Sequence, residues 1–304
     1  MKPLAITLGD PAGVGAEIVF KGLHDLDVPV RVFGSRAFAA PPEDLDFVDV
    51  GGSGEIHYGK VDAEYGRIAL ASIDAAVTAI ERGECSALVT APIHKQAIFA
   101  AGSPYPGHTD LLAARAGLKR YAHDYAMYFD SPTIRTVLLT VHVPLREALN
   151  AINADDITAL ARLTNREFAR LHGKAPHIGV AAVNPHGGEG GRFGSEERAI
   201  AEAVLRASAA GVMIDGPHPA DTLFLAASRG KYDVVMAMYH DQGLIPVKTT
   251  AFEKSVNVTL GLPYLRASVD HGTAFDIAGK GIADAAPMRY AILWAARHAE
   301  KFER

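Results

Sequence analysis

The chain has 304 residues, with 30 Lys and Arg against 35 Asp and Glu for a formal charge of −5, 49% hydrophobic residues and 21% charged ones. That length exceeds one small module and predicts about two domains with substantial cores, while the acidic balance withholds the electrostatic attraction that coating a nucleic acid requires. A single cysteine, Cys85, excludes an intramolecular disulfide and any multi-cysteine metal centre.

The opening MKPLAITLGDP predicts a short strand, cut off by Asp10 and Pro11 before it reaches signal-peptide length. AGVGAEIVFKGL has helix-spaced apolar residues, VPVRVFG at 28–34 reads as a second strand, and residues 40–60 form a surface excursion. From about Glu64 to Gly83 the spacing predicts a long helix, after which SALVTAP returns as a strand. IHKQAIFAAG and DLLAARAG are helical in spacing, and YAMYFDSPTIRTVLLTVHV reads as two strands turned at Ser131 and Pro132. Beyond them come a helix over DDITALARLTNREFARLHG, a strand over HIGVAAVNPH, and a helix over SEERAIAEAVLRASAAG with Ser195 in the capping position. A strand over YDVVMAMYH and a closing helix containing YAILWAARHAEKF complete the chain. Strand and helix alternate throughout, which predicts an α/β fold on a mixed sheet. The longest apolar runs, such as TVLLTV at 136–141, are strand-sized and far below the ~18 residues of a membrane helix, so a soluble cytoplasmic protein with no membrane or nucleic-acid partner is expected.

Three of these strands finish on a histidine: TVLLTVH at His142, IGVAAVNPH at His186 and DVVMAMYH at His240. Ligands in open α/β sheets collect outside the carboxyl ends of strands, and imidazoles converging there suit a divalent cation. Nitrogen donors favour zinc first, with cobalt, nickel or iron as alternatives, and three protein ligands leave positions open for substrate. Asp241, next to His240, can orient an imidazole or accept a proton; a turn cap is the plainer alternative.

Lys248, Asn257 and Arg266 lie near glycine- and proline-rich loops and combine the point charge, amide and planar guanidinium that bind phosphate or carboxylate. His108 and Thr109 precede a helix whose free N–H groups offer a second anion position. GDPAGVG follows a strand but has neither the dinucleotide nor the Walker A spacing. NPHGGEGGRFG at 184–194 is a glycine-dense loop beside His186.

Taken together, GDPAGVGAE at 9–17, TAPIHK at 90–95, PGHTD at 106–110, NPHGGEGG at 184–191, GPHPADTLF at 216–224, YHDQGLIPVK at 239–248 and NVTLGLPYLRASVDHGTA at 257–274 resemble the 4-hydroxythreonine-4-phosphate dehydrogenase family, PdxA. The resemblance spans nearly the whole chain. It implies a two-domain mixed-sheet fold similar to isocitrate and isopropylmalate dehydrogenases, with a cleft between a cofactor-side domain of residues 1–110 plus 265–304 and a metal-carrying domain of residues 111–264. It further implies a homodimer whose site is shared between chains, NAD (or NADP) as cofactor, and a divalent metal, zinc foremost with cobalt, nickel or magnesium as alternatives. The family's metal ligands fall on His142, His186 and His240, and its substrate-binding residues on His108, Thr109, Lys248, Asn257 and Arg266. HGTAFDIAGKGIADA at 271–285 resembles an adenosine-side segment, which makes His271, Gly272, Thr273, Ala274 and Asp276 candidate cofactor contacts. Lys248 and Asp241 are the candidate bases.

The implied reaction oxidises 4-phosphooxy-L-threonine to a 3-oxo acid that decarboxylates to 3-amino-2-oxopropyl phosphate, a step of pyridoxal 5'-phosphate biosynthesis. Asp110 and His218 depart from the family's usual residues, which keeps D-threonate or D-erythronate 4-phosphate and a carboxylated cis-dihydrodiol as alternative substrates. A metabolite-binding protein on the same fold is the non-enzymatic alternative.

Overall fold

The computed structural model describes residues 2–302, and the chain divides into two compact units. One comprises the chain up to Ala116 together with the part from Leu262 onward; the other is the unbroken stretch Gly117–Gly261.

In chain order the first unit supplies β1 (Leu4–Thr7), α1 (Gly15–Leu23), β2 (Val30–Gly34), β3 (Phe47–Asp49), α2 (Ala63–Glu81), β4 (Ala87–Thr90), α3 (Lys95–Ala100) and α4 (His108–Arg115). The second unit follows with β5 (Ala126–Asp130), β6 (Thr136–Leu138), α5 (Leu145–Asn150), α6 (Ala154–His172), β7 (Ile178–Ala181), α7 (Glu196–Ala209), β8 (Ile214–His218), α8 (Ala220–Ser228), β9 (Val234–Ala237), α9 (His240–Ala251) and β10 (Val256–Leu260). The chain then returns to the first unit with β11 (Leu265–Ser268) and α10 (Ala286–His298).

Strands of the first unit run β3-β2-β1-β4-β11, all parallel. Those of the second run β10-β5-β6-β9-β7-β8, antiparallel across β10/β5/β6 and parallel beyond. Helices cover both faces of parallel strands, so LAIT, ALVT, IGVA and VVMA are buried at every residue and show no in-out alternation.

Local chemistry sets the helix ends. Asp62 starts α2 by accepting the Glu64 N–H at 2.8 Å, and Asn153 starts α6 by accepting that of Asp156 at 2.9 Å. Gly173 closes α6 at φ 76, a left-handed turn that glycine adopts without a side-chain clash. Gly66 on α2 lies where an added Cβ would come 2.0 Å from the Ala97 carbonyl oxygen, so its bare backbone is what lets α3 approach.

The structure corrects several sequence expectations. The strands leading to the three histidines stop short of them: β6 ends at Leu138, β7 at Ala181 and β9 at Ala237. α9 is a helix that Gly243 and Pro246 disguised as loop; an added Cβ at Gly243 would lie 2.3 Å from Leu138 Cδ2, so the glycine serves close packing. His108 and Thr109 form the first turn of α4 and do not precede it. Ser195 occupies the N-cap position of α7, yet its side chain makes no capping hydrogen bond. Among the described residues, no helix is long and apolar enough to cross a membrane.

Candidate functional site

The three histidines all belong to the second unit and sit in the segments that leave its strands. His142 follows β6 with φ 48, and His186 lies in the short 3₁₀ turn Pro185–Gly191 with φ 53. A residue bearing a side chain gives up about 1–2 kcal/mol in that left-handed region, and such positions cluster where function requires them. His240 opens α9, and its Nδ1 is 2.7 Å from Asp241 Oδ1. A carboxylate on Nδ1 fixes the ring and leaves Nε2 facing any ligand. The rings of His142 and His240 lie 5.7 Å apart between centroids.

In kind, these donors fit a divalent cation: imidazoles, one oriented by a carboxylate. In number they do not complete a set. Among the described residues no three His, Cys, Asp or Glu side chains are gathered closely enough to hold a metal, and the ring contact present is the pair His142 and His240.

The anion-binding candidates divide between the units. In the first, β11 carries Arg266 into the interior at 2% exposure, where its Nη2 donates to Thr90 Oγ1 at 2.8 Å. Burial pushes the guanidinium pKa down to about 10, a measure of how much an interior cation gains from a nearby anion. His108, the first residue of α4, is held neutral: burial, and then the charge of Arg266, keep its pKa well below the ordinary imidazole value. Its Nε2 is buried with no hydrogen-bond partner. Thr109 beside it is also buried. In the second unit, Asn257 on β10 has its Oδ1 buried without a partner, and Lys248 is half-buried on α9. Leaving a buried polar atom unmatched costs roughly 1–3 kcal/mol, which a bound ligand would recover.

The 271–276 segment belongs to the first unit. Its backbone meets the loop after β1, where the Val14 N–H donates to the Thr273 carbonyl at 3.0 Å and an added Cβ on Gly13 would lie 3.0 Å from Thr273 Cβ. Ala274 is left-handed at φ 45, Gly272 faces open space, Asp276 is exposed, and His271 Nδ1 is 3.0 Å from the Gly272 carbonyl.

Other polar residues escaped the sequence reasoning. Asp10, 1% exposed, accepts the Ala12 N–H on Oδ1 at 2.8 Å, while its Oδ2 is buried without a partner. Burial pushes its pKa up to about 6 against the pull of the Ala12 and His94 N–H groups. His94 stacks on Phe275 with centroids 4.6 Å apart. Both follow the ends of adjacent strands, β1 and β4, at the point where the strand order reverses. The signal was present in GDPAGVG and TAPIHK; what was missing was knowing that their two strands are neighbours. Glu197 on α7 is a third, and its partners lie in the loop carrying His186.

Comparison with known proteins adds a family. The model described as "Pyridoxal phosphate biosynthetic protein PdxA" matches residues 7–295. A 4-hydroxythreonine-4-phosphate dehydrogenase from Beijerinckia indica is 41% identical over 97% of this chain and 94% of its own length. A D-threonate 4-phosphate dehydrogenase from Cupriavidus necator is 40% identical over 92% of each chain. The crystal structure of 4-hydroxythreonine-4-phosphate dehydrogenase from Klebsiella pneumoniae superposes with a TM-score of 0.86 at 36% identity, covering 98% of this chain and all of that one.

Proposed function

The chain belongs to the PdxA family, and from that premise we propose an NAD-dependent, metal-assisted dehydrogenase that oxidises 4-phosphooxy-L-threonine to its 3-oxo acid, which then decarboxylates to 3-amino-2-oxopropyl phosphate. The coarser activity, a dehydrogenase acting on a phosphorylated four-carbon hydroxy acid, follows from the names its relatives carry. The observation that carries the reading is Arg266: an interior cation beside a neutral imidazole with an unmatched nitrogen, at the first turn of a helix, is built to receive a phosphate.

On this reading Arg266, Lys248, His108, Thr109 and Asn257 bind the substrate's phosphate and polar groups. His142, His186 and His240 hold the metal, and Asp241, already engaged with His240, keeps that ring oriented. Of the candidate bases, the Asp241 carboxylate, or Lys248 in its uncharged form, takes the hydroxyl proton. When bound, a zinc ion (or cobalt, nickel or magnesium) would lower the pKa of the substrate's secondary alcohol, and NAD or NADP, held at His271, Gly272, Thr273, Ala274 and Asp276, would accept the hydride.

We also propose a cytoplasmic homodimer that completes the metal site. Each histidine is followed closely by exposed apolar side chains, Val143 and Leu145 after His142, Phe193 after His186 and Ile245 after His240. A second copy covering them would bring further imidazoles to the pair that one chain assembles.

The test is a panel of phosphorylated acids assayed by NADH formation with added metal. The highest kcat/KM is expected with 4-phosphooxy-L-threonine. D-threonate 4-phosphate is the second reading, favoured by a relative of that name at 40% identity beside the 41% of the first. Absence of turnover with 4-phosphooxy-L-threonine, D-threonate 4-phosphate and D-erythronate 4-phosphate alike would defeat the acid-phosphate reading and leave the carboxylated cis-dihydrodiol and the metabolite-binding protein as the alternatives.

A further inference from the structure

The loop bearing His186 closes on itself through backbone hydrogen bonds, Gly187 N–H to the Asn184 carbonyl at 3.1 Å and Phe193 N–H to the Gly188 carbonyl at 3.2 Å, yet it holds a backbone that side chains seldom adopt. Five successive residues, His186, Gly187, Gly188, Glu189 and Gly190, have φ between 42 and 75. Glycine tolerates this region, but His186 and Glu189 do not enter it without something outside the loop to hold them there.

That outside contact is a carboxylate on α7. Glu197 Oε1 accepts the N–H of Val183 at 3.1 Å and that of Asn184 at 2.7 Å, while its Oε2 accepts Asn184 Nδ2 at 2.9 Å. Asn184 Nδ2 also donates to Glu196 Oε2 at 2.8 Å, and the same oxygen accepts the Ser195 N–H at 2.9 Å. The loop is wrapped closely around this centre. An added Cβ at Gly188 would lie 2.7 Å from Glu197 Oε2, and one at Gly194 2.3 Å from Asn184 Nδ2. From the other side, Pro219 Cδ stands 3.8 Å from the corresponding position of Gly187.

A glutamate in the first turn of a helix ordinarily serves its own helix, by satisfying that helix's free N–H groups and complementing its dipole. Glu197 takes its own backbone N–H and, in addition, satisfies two backbone donors and one amide more than a dozen residues upstream, at the exit of β7 and immediately before Pro185 and His186.

We infer that Glu197 is a positioning residue for His186: by gripping Val183 and Asn184 it sets where that imidazole stands, and so governs the affinity and geometry of the metal site. The inference rests on the reading of His186 as a metal ligand, made above. Groups that orient metal ligands without touching the metal typically contribute 10- to 100-fold in affinity.

The experiment is Co²⁺ binding to the full-length protein, read from its visible absorption and by competition with a chelator, in the parent, Glu197→Ala, Glu197→Gln and His186→Ala. Glu197→Ala is expected to bind Co²⁺ roughly 10- to 100-fold more weakly with an altered absorption band. Glu197→Gln, whose carbonyl still accepts both backbone N–H groups, should recover much of the loss. Should the alanine variant fail to fold, the glutamine variant decides: its amide now meets Asn184 Nδ2 with a donor, so its recovery is incomplete and its Co²⁺ complex is expected to be severalfold weaker than the parent's. Parent affinity and spectrum in the folded Glu197 variants, with binding lost in His186→Ala, overturns the inference while leaving the metal reading intact. Parent behaviour in His186→Ala removes the metal reading and this inference together.

Discussion

At Arg266 a guanidinium has left water for an interior where an oxygen of Thr90 accepts one of its N–H groups, and what it lost in hydration a dianion can restore. Arg266→Ala should raise KM for the phosphorylated substrate about 10- to 100-fold, the equivalent of a charge-assisted hydrogen bond of about 1.5–3 kcal/mol, and change kcat less. Steady-state kinetics checks this; an unchanged KM would place the phosphate elsewhere. Asp10 is the opposite case, an acid driven toward its neutral form. Its pKa is raised from 3.8 to about 6, so the native state binds the proton more tightly than the unfolded chain does. Its contribution therefore favours folding at acid pH, declines as pH rises from about 4 to about 6, and is flat above. Asp10→Asn should gain stability relative to the parent across that window, by up to about 3 kcal/mol, measured as denaturation midpoints at pH 3.5 and pH 7.5. A constant offset between the two proteins would show that the carboxyl is not linked to folding. Asp10 and Glu197 were not legible in the sequence because their importance lies in partners brought near by the fold. His142, His186, His240 and Arg266 stood out as candidates in the sequence because they are chemically unusual residues beside apolar runs.

Among the elements, α2 and α3 meet through a missing side chain. Gly66→Ala would improve helix propensity by about 1 kcal/mol, yet the new methyl would stand 2.0 Å from the Ala97 carbonyl oxygen, and overpacking of that kind costs typically 1–3 kcal/mol or more. The second effect wins, so the substitution should lower stability by about 1–2 kcal/mol, seen as a lower urea midpoint with the slope unchanged. A stabilised variant would mean the two helices separate easily. Most long periodic elements were readable: the capped helix of 155–173 appears as α6 and the hairpin at Ser131 and Pro132 as the antiparallel pair β5 and β6. α9 was not, since a glycine and a proline within twelve residues imitate a loop when their neighbours are unknown. The strand ends were misplaced for a related reason. Apolar residues continue past β6, β7 and β9 because the exits remain buried, while their hydrogen bonds pass to other partners, as with Val183 and Glu197.

For the whole molecule, the exposed Val143, Leu145, Phe193 and Ile245 are the test of self-association. The parent should run as a dimer by size-exclusion chromatography with light scattering. Leu145→Asp combined with Ile245→Asp should shift it toward monomer and reduce zinc retained after dialysis; a monomeric parent that keeps a full complement of zinc would rule out a shared site. One further property lies in the order of assembly. The second unit is an uninterrupted stretch, whereas the first waits for β11 and α10, which lie beyond residue 261. During synthesis the middle of the chain can therefore mature while the early strands still lack their last neighbour. A nascent polypeptide stalled before residue 262 would leave the edge of β4 bare and prone to aggregate on the ribosome, which makes the arrival of β11 and α10 the step that seals the first unit.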